Sequence, residues 1–213
     1  MVIALVGHNF TDKAKIAKDI RHYTGDLFTR MGTYTTRVNV GKSYLYASQE
    51  DFKHMKDVDM FHYSSDENHD KFFVTRSMFM TGQNLIYVVD DPRGVEEMDT
   101  LGVPYAVVYV DSNMTAILNR ARKSTESLRS VKSRIEDVKP RMRKFEKSGQ
   151  FSLYLDTSNM SASARYTNIG VFCDRVHDWM RDNSDGAVHM PFICDVFGSD
   201  WKTADTTVKL VTL

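Results

Sequence analysis

Three short runs of apolar residues constrain this chain more than any other feature. Val2–Val6 (VIALV), Leu85–Val89 (LIYVV) and Tyr105–Val110 (YAVVYV) carry no charged residue. A strand with one wet face alternates apolar and polar residues, whereas an unbroken apolar run this short belongs to a strand covered on both faces. Segments with helical spacing follow two of the runs. Ala14, Ala17 and Ile20 share one face after the first, and Met114, Ile117, Leu118 and Ala121 share one after the third, with Ser112 as its N-cap. Strands alternating with helices predict an α/β fold with a parallel, doubly wound sheet flanked by helices. Such sheets bind ligands at the carboxyl ends of their strands.

Residues 33–83 depart from this rhythm. Ser43–Ala47 alternates, Gln49–Met55 reads as a helix, and Met60–Tyr63 and Lys71–Val74 read as short strands. The mixture fits a small inserted α+β lobe better than the main sheet. Further on, Leu128, Val131, Ile135, Val138, Met142 and Phe145 recur three and four apart, predicting a helix over 125–147 that Pro140 kinks. Phe151–Leu155 reads as a last strand. Residues 163–181 read as a final helix with Ile169, Phe172, Cys173, Val176 and Met180 on one face. The tail, 184–213, has apolar patches but no readable element. No repeat or low-complexity tract is present.

The length of 213 residues suits one sizeable core. Lysine plus arginine number 28, as do aspartate plus glutamate, so no overall field draws the chain to nucleic acid or to an anionic membrane. An anion site must come from a local cluster. Cys173 and Cys194 are too few for a disulfide framework and lack zinc-site spacing; Cys173 reads as a buried small hydrophobe. No apolar run approaches the roughly 20 residues of a membrane span, and the opening residues are too short and uncharged for a signal peptide. A reduced, cytoplasmic setting is expected.

The turn after the first strand reads Gly7-His-Asn-Phe-Thr-Asp-Lys-Ala14. A phosphate loop reads G-x-x-x-x-G-K-[ST]. Gly7 and Lys13 hold their places between a strand and a helix, but Asp12 replaces the second glycine and Ala14 the hydroxyl residue. The glycine lets backbone wrap phosphate oxygens, and the hydroxyl holds Mg²⁺. Asp12 brings negative charge, although an acid near a helix start suits the helix dipole. Lys13 still places a cation at a helix N-terminus, where anions are favoured.

The segment Thr33-Tyr-Thr-Thr-Arg37, followed by Gly41-Lys-Ser-Tyr44-Leu-Tyr46-Ala-Ser48-Gln-Glu50-Asp-Phe52, resembles the GMP-binding lobe of guanylate kinases. That lobe reads S-x-T-T-R and then G-x-D-Y-x-F-x-S-x-E-x-F. Lys71-Phe-Phe73-Val-Thr75 is similar to the family's N-x-Y-G-T, and Asp91-Pro-Arg-Gly94 to its D-V-Q-G. In all, about 1–181 can be laid on the family. The resemblance implies a P-loop-type core over 1–32 and 84–182, with a lid region about 120–135. It also implies a monophosphate-binding lobe over 33–83, and it leaves 183–213 as an extension.

By the same resemblance, Arg37 clamps a monophosphate, Tyr44 contacts it through its hydroxyl, and Thr33 and Thr75 lie near the base. Asp91 lies near metal and base, and Lys13, Arg120, Arg122 and Arg134 neutralise the transferring phosphoryl group. ATP and Mg²⁺ are the implied cofactors, and GMP or another nucleoside monophosphate the implied acceptor. The sequence departs from the family at Val40, where a second arginine is expected, at Phe73, where a tyrosine is expected, and around Ser65, where the base-contacting glutamate falls beside Asp66 and Glu67. Two functions remain open: a nucleoside monophosphate kinase, and a module that binds a nucleotide or phosphorylated partner without transfer. A third role, recruitment of a partner or a second copy through the tail, also stays open.

Overall fold

The sheet that the apolar runs predict is present. The computed structural model describes residues 1–38, 44–66, 69–124 and 126–183, with the backbone of 208–209. In chain order the elements are β1 (Val2–Val6), α1 (Lys13–Tyr23), β2 (Thr29–Arg30), β3 (Thr33–Thr35), β4 (Tyr44–Tyr46), α2 (Gln49–Val58), β5 (Met60–Ser65), β6 (Lys71–Thr75), β7 (Leu85–Val89), β8 (Tyr105–Asp111), α3 (Met114–Ala121), α4 (Leu128–Ser148), β9 (Leu153–Asp156), α5 (Ala162–Asp182) and β10 (Val208–Lys209). The main sheet runs β10-β9-β8-β1-β7-β2. Strands β9 to β2 are parallel, and β10 joins antiparallel at the edge.

The three apolar runs are the three central strands, which explains why they never alternate. On one face Ile3, Leu5 and Ile86 pack against Ile16, Ala17 and Ile20 of α1 and Ile169, Phe172 and Val176 of α5. On the other, Val2, Ala4, Val6 and Tyr87 pack against Met142 and Phe145 of α4. Each fully buried aliphatic or aromatic side chain contributes about 1.5–3 kcal/mol. That scale also explains α4, which runs unbroken through Pro140. A proline inside a helix costs about 3 kcal/mol, and Val131 and Ile135 before it, with Met142 and Phe145 after it, are all buried.

A second sheet, β4-β3-β6-β5, is separate from the first. Helix α2 opens with a capping box between Ser48 and Asp51 and covers one face, where Phe52 and Met55 meet Ala47, Tyr34 and Phe73. The pairings Thr33↔Tyr44, Thr35↔Phe72 and Ser64↔Phe72 set those residues on the opposite face. Phe61 of β5 packs edge-on to Phe79 and Tyr87, which ties this sheet to the main one.

Several local expectations need correction. Ala14 is exposed, and the stripe of α1 is Lys13, Ile16, Ala17 and Ile20, because the turn geometry carries position 13 inward. The cap of α3 is Asn113, whose side chain accepts from the backbone of Ala116, while Ser112 is buried and accepts from an arginine instead. Asp12 sits at the N-cap of α1 but makes no side-chain cap bond. Cys173 is buried, and burial raises its thiol pKa to about 12, so it is inert at neutral pH. Val208–Lys209 pair with β9 where no element was legible. Val40, Gly41–Ser43, Glu67, Cys194 and nearly all of the tail lie outside the described residues.

Candidate functional site

The loop after β1 begins with a tight passage. A Cβ on Gly7 would lie 2.1 Å from the backbone oxygen of Val110, so the chain leaves β1 pressed against the end of β8. The loop then turns through two left-handed residues, Phe10 (φ 64°) and Asp12 (φ 68°). Neither is glycine, and each left-handed non-glycine residue costs about 1–2 kcal/mol.

Side chains hold this conformation in place. The Asp12 carboxylate meets Lys15 Nζ at 2.8 Å and Arg120 Nε at 3.1 Å. Arg120 Nη1 donates to Phe10 O at 3.0 Å and to Ser112 Oγ at 2.8 Å, and Nη2 donates to Thr157 O at 2.5 Å. Thr157 Oγ1 donates to Thr11 O at 3.1 Å. All three guanidinium nitrogens are thus engaged. Asp12 keeps a left-handed backbone, and two cations offset its charge.

The loop closes around its own lysine. Lys13 is only 5% exposed, and its Nζ donates to Gly7 O at 2.5 Å and to His8 O at 2.6 Å. It also pairs with Asp90 Oδ1 at 2.9 Å. With its amide oriented to satisfy both groups, Asn9 donates to the Asp90 carboxylate at 2.6 and 3.1 Å. An incoming anion must therefore compete with Asp90 for the Lys13 ammonium. Asp90 is 51% exposed, so the pair is worth about 0.5–1 kcal/mol. Asp90→Asn is expected to raise the affinity of the loop for pyrophosphate about two- to fivefold, measured by titration calorimetry. A fall in affinity would mean that the carboxylate helps rather than competes.

The surroundings do not fit a loop-held Mg²⁺. Ala14 offers no hydroxyl and is exposed. Asp91 is buried and accepts from Arg93 N at 3.1 Å, from Arg93 Nη2 at 2.6 Å and from Arg141 Nε at 3.0 Å. Burial alone would raise its pKa, but the Arg93 hydrogen bonds and the two positive charges outweigh burial and hold it below the usual 3.8. Among the described residues no three His, Cys, Asp or Glu side chains are grouped to hold a metal.

On the smaller sheet, Arg37 and Tyr44 both flank Phe72. The Arg37 guanidinium lies 5.3 Å from the centre of the Phe72 ring, and the Tyr44 ring stands edge-on to it at 5.7 Å. Thr33 is the register partner of Tyr44. Burial, and then the charge of Asp90, raise the Tyr44 hydroxyl pKa; Arg30, Arg37 and Glu126 also act on it. Arg37 is not free, since it pairs with Asp66 and, at 3.2 Å, with Asp70.

The remaining predicted positions have other partners. Thr75 is buried with its hydroxyl 3.0 Å from Ser77 Oγ. Arg122, at the end of α3, is exposed and donates to Asn119, and Arg134 pairs with Glu126. The structure thus brings Gly7, Asp12, Lys13 and Arg120 together at the loop, and Thr33, Arg37 and Tyr44 together on the smaller sheet. Asp90, Asn9, Arg93 and Arg141 escaped sequence reasoning. Asp90 alone had a signal, its place at the carboxyl end of an apolar strand.

Two histidines make the fold acid-sensitive. Burial first, and then the Lys13 charge, lower the pKa of His8; burial likewise lowers that of His62 despite the nearby Asp91. A histidine with a depressed folded pKa binds fewer protons folded than unfolded. Its contribution is complete above the unfolded value, near 6.5, and is lost as pH falls toward the folded pKa. The urea midpoint is expected to drop between pH 7.5 and 5.5, and His8→Asn with His62→Asn is expected to flatten that slope.

No protein-family model matches the chain, and no curated protein matches it. Among solved structures, the chain is similar to a guanylate kinase from Anaplasma phagocytophilum, at 14% identity and a TM-score of 0.48, over 87% of this chain and 86% of that one. No helix among the described residues is long and apolar enough to cross a membrane.

Proposed function

We propose that the chain is a nucleoside monophosphate kinase that transfers a phosphoryl group from ATP to GMP or another ribo- or deoxyribonucleoside monophosphate. In this reading the loop Gly7–Lys13 takes the donor phosphates, and the lobe 33–83 takes the acceptor beside Thr33 and Tyr44. One observation carries the reading: a strand–loop–helix turn keeps two left-handed residues around a buried lysine, although neither is glycine. Arg120, Thr157 and Lys15 hold that conformation in place.

The transfer would break the bond between the γ-phosphorus and the β,γ-bridging oxygen and form one from a monophosphate oxygen to that phosphorus. ADP would leave with the electron pair. Lys13, handed over from Asp90, would offset charge on the donor phosphates. Since Ala14 has no hydroxyl to offer a metal, the chain's own part is positioning and charge.

Purified protein is expected to release ADP in a coupled assay with ATP and at least one common nucleoside monophosphate. Silence across the ribo- and deoxyribonucleotides would overturn the transfer reading. A second reading, binding without transfer, draws on Ala14, which offers no hydroxyl for a metal. Calorimetry separates the two, because monophosphate binding that ignores ATP favours the second.

A further inference from the structure

The smaller sheet meets the main one at a polar corner that the resemblance to guanylate kinases does not mark. Residues two apart in a strand share a face. Thr35, Phe72 and Ser64 are paired across the sheet and face away from α2, so Thr33, Val74 and His62 do too. With Tyr44, the partner of Thr33, they form a row across the four strands in the order Tyr44, Thr33, Val74, His62. Tyr44 is exposed at the outer edge, whereas Val74 is buried in one cluster with Tyr87 and Val89 of β7. The row thus runs from the open edge of the lobe to its junction with the main sheet.

Gly94 shapes that junction. A Cβ there would lie 2.8 Å from Tyr87 Oη and 3.3 Å from His62 Cδ2, so the two side chains meet over one bare stretch of backbone. Tyr87 is only 2% exposed. Neither its hydroxyl nor the His62 ring nitrogens have a hydrogen-bond partner among the described residues. The unpartnered side-chain atoms sealed from solvent there are Arg134 Nε and Asn168 Nδ2, so the Tyr87 hydroxyl and the His62 nitrogens keep contact with open space. Polar groups set this deep are hydrogen-bonded as a rule.

Both groups are uncharged at neutral pH. Burial raises the Tyr87 pKa and, despite the nearby Asp91, lowers that of His62. Asp91 is itself taken up by Arg93 and Arg141. Each of the two groups can donate one hydrogen bond and accept another. An uncharged pair in an apolar corner suits the uncharged end of a nucleotide and not its phosphate.

We propose that His62 and the Tyr87 hydroxyl read the base of the acceptor, with Thr33 and Tyr44 of the same row leading outward toward its phosphate. This rests on the reading that the lobe 33–83 takes a nucleoside monophosphate. The partner chemistry is a heteroaromatic edge on which a donor and an acceptor adjoin.

The test titrates the full chain with the common ribo- and deoxyribonucleoside monophosphates and with ribose 5-phosphate, which has the phosphate and no base. Tyr87→Phe removes one oxygen, and His62→Phe keeps a ring but removes both nitrogens. Each is expected to weaken binding of the tightest monophosphate about two- to tenfold, the range for a lost neutral hydrogen bond, and to leave ribose 5-phosphate unchanged. His62→Asn and His62→Gln each keep a donor and an acceptor, and at least one is expected to recover most of the loss. Circular dichroism checks that each variant is folded, and His62→Leu stands in should His62→Phe fail.

If the wild type binds a monophosphate and both phenylalanine variants bind it equally well, the base assignment is overturned while the acceptor lobe stands. An equal loss on ribose 5-phosphate also overturns it, because the pair would then act on the phosphate end or through the fold. If the wild type binds no monophosphate, the acceptor reading falls and takes the assignment with it. If binding depends on the pair but ATP yields no diphosphate, the assignment stands and phosphoryl transfer falls.

Discussion

Gly7→Ala is expected to lower the stability of the folded chain by more than about 3 kcal/mol, above the usual range for overpacking. The added methyl would meet the Val110 carbonyl oxygen at 2.1 Å, with Thr11 Oγ1 at 3.0 Å. That oxygen belongs to β8, whose residues Tyr105–Tyr109 pair with the whole of β1 and are buried. No side chain can rotate away; two central strands must separate, or the loop must be rebuilt. Total stabilities are of order 5–15 kcal/mol, so much of the variant would be unfolded at moderate temperature. Gly25→Ala makes the contrast. Its Cβ meets nothing within 4 Å, and only the left-handed backbone (φ 59°) is strained, so about 1 kcal/mol is expected. Urea unfolding of both variants checks this, and equal midpoints would mean that the spacing of β1 and β8 at the loop is slack.

Arg120→Met is expected to cost about 3–5 kcal/mol, since each buried acceptor left without its donor costs about 1–3 kcal/mol. The substitution keeps much of the side-chain volume but strands Phe10 O, Thr157 O and Ser112 Oγ, and it leaves Asp12 with Lys15 alone. The loop is then free to leave its left-handed conformation. Asp12→Gly removes the carboxylate and takes the same backbone angles without steric cost, so by itself it is expected to be close to neutral. In the Arg120→Met background the same change is expected to restore about 1–3 kcal/mol, a coupling in the range found for residues in contact. Strictly additive effects in the double-mutant cycle would show that Arg120 braces the sheet ends and not the loop.

The α/β class was legible because burial on two faces writes itself into composition. The runs at Val2–Val6, Leu85–Val89 and Tyr105–Val110 had no other economical fold, and they are the three central strands. The long helices were equally plain, since Ile135, Met142 and Phe145 repeat at a spacing that only a helix turns into one face. Polar contacts left no such trace. Asp90 and Asp91 look alike in sequence; one is half in solvent beside Lys13, and the other is buried under Arg93 and Arg141. Arg141 lies fifty positions along the chain from Asp91, so no local pattern announces their meeting.

Residue order alone determined the layers, the helix stripes and the position of a glycine–lysine turn after the first strand, because those depend on hydrophobic period and on neighbours a few residues away. Tertiary structure decided which charges are spent on other charges. Arg37 reads as available until the fold brings Asp66 and Asp70 against it. Ion pairing depends on distance in space, and for residues far apart in the chain that distance exists only once the sheets have formed.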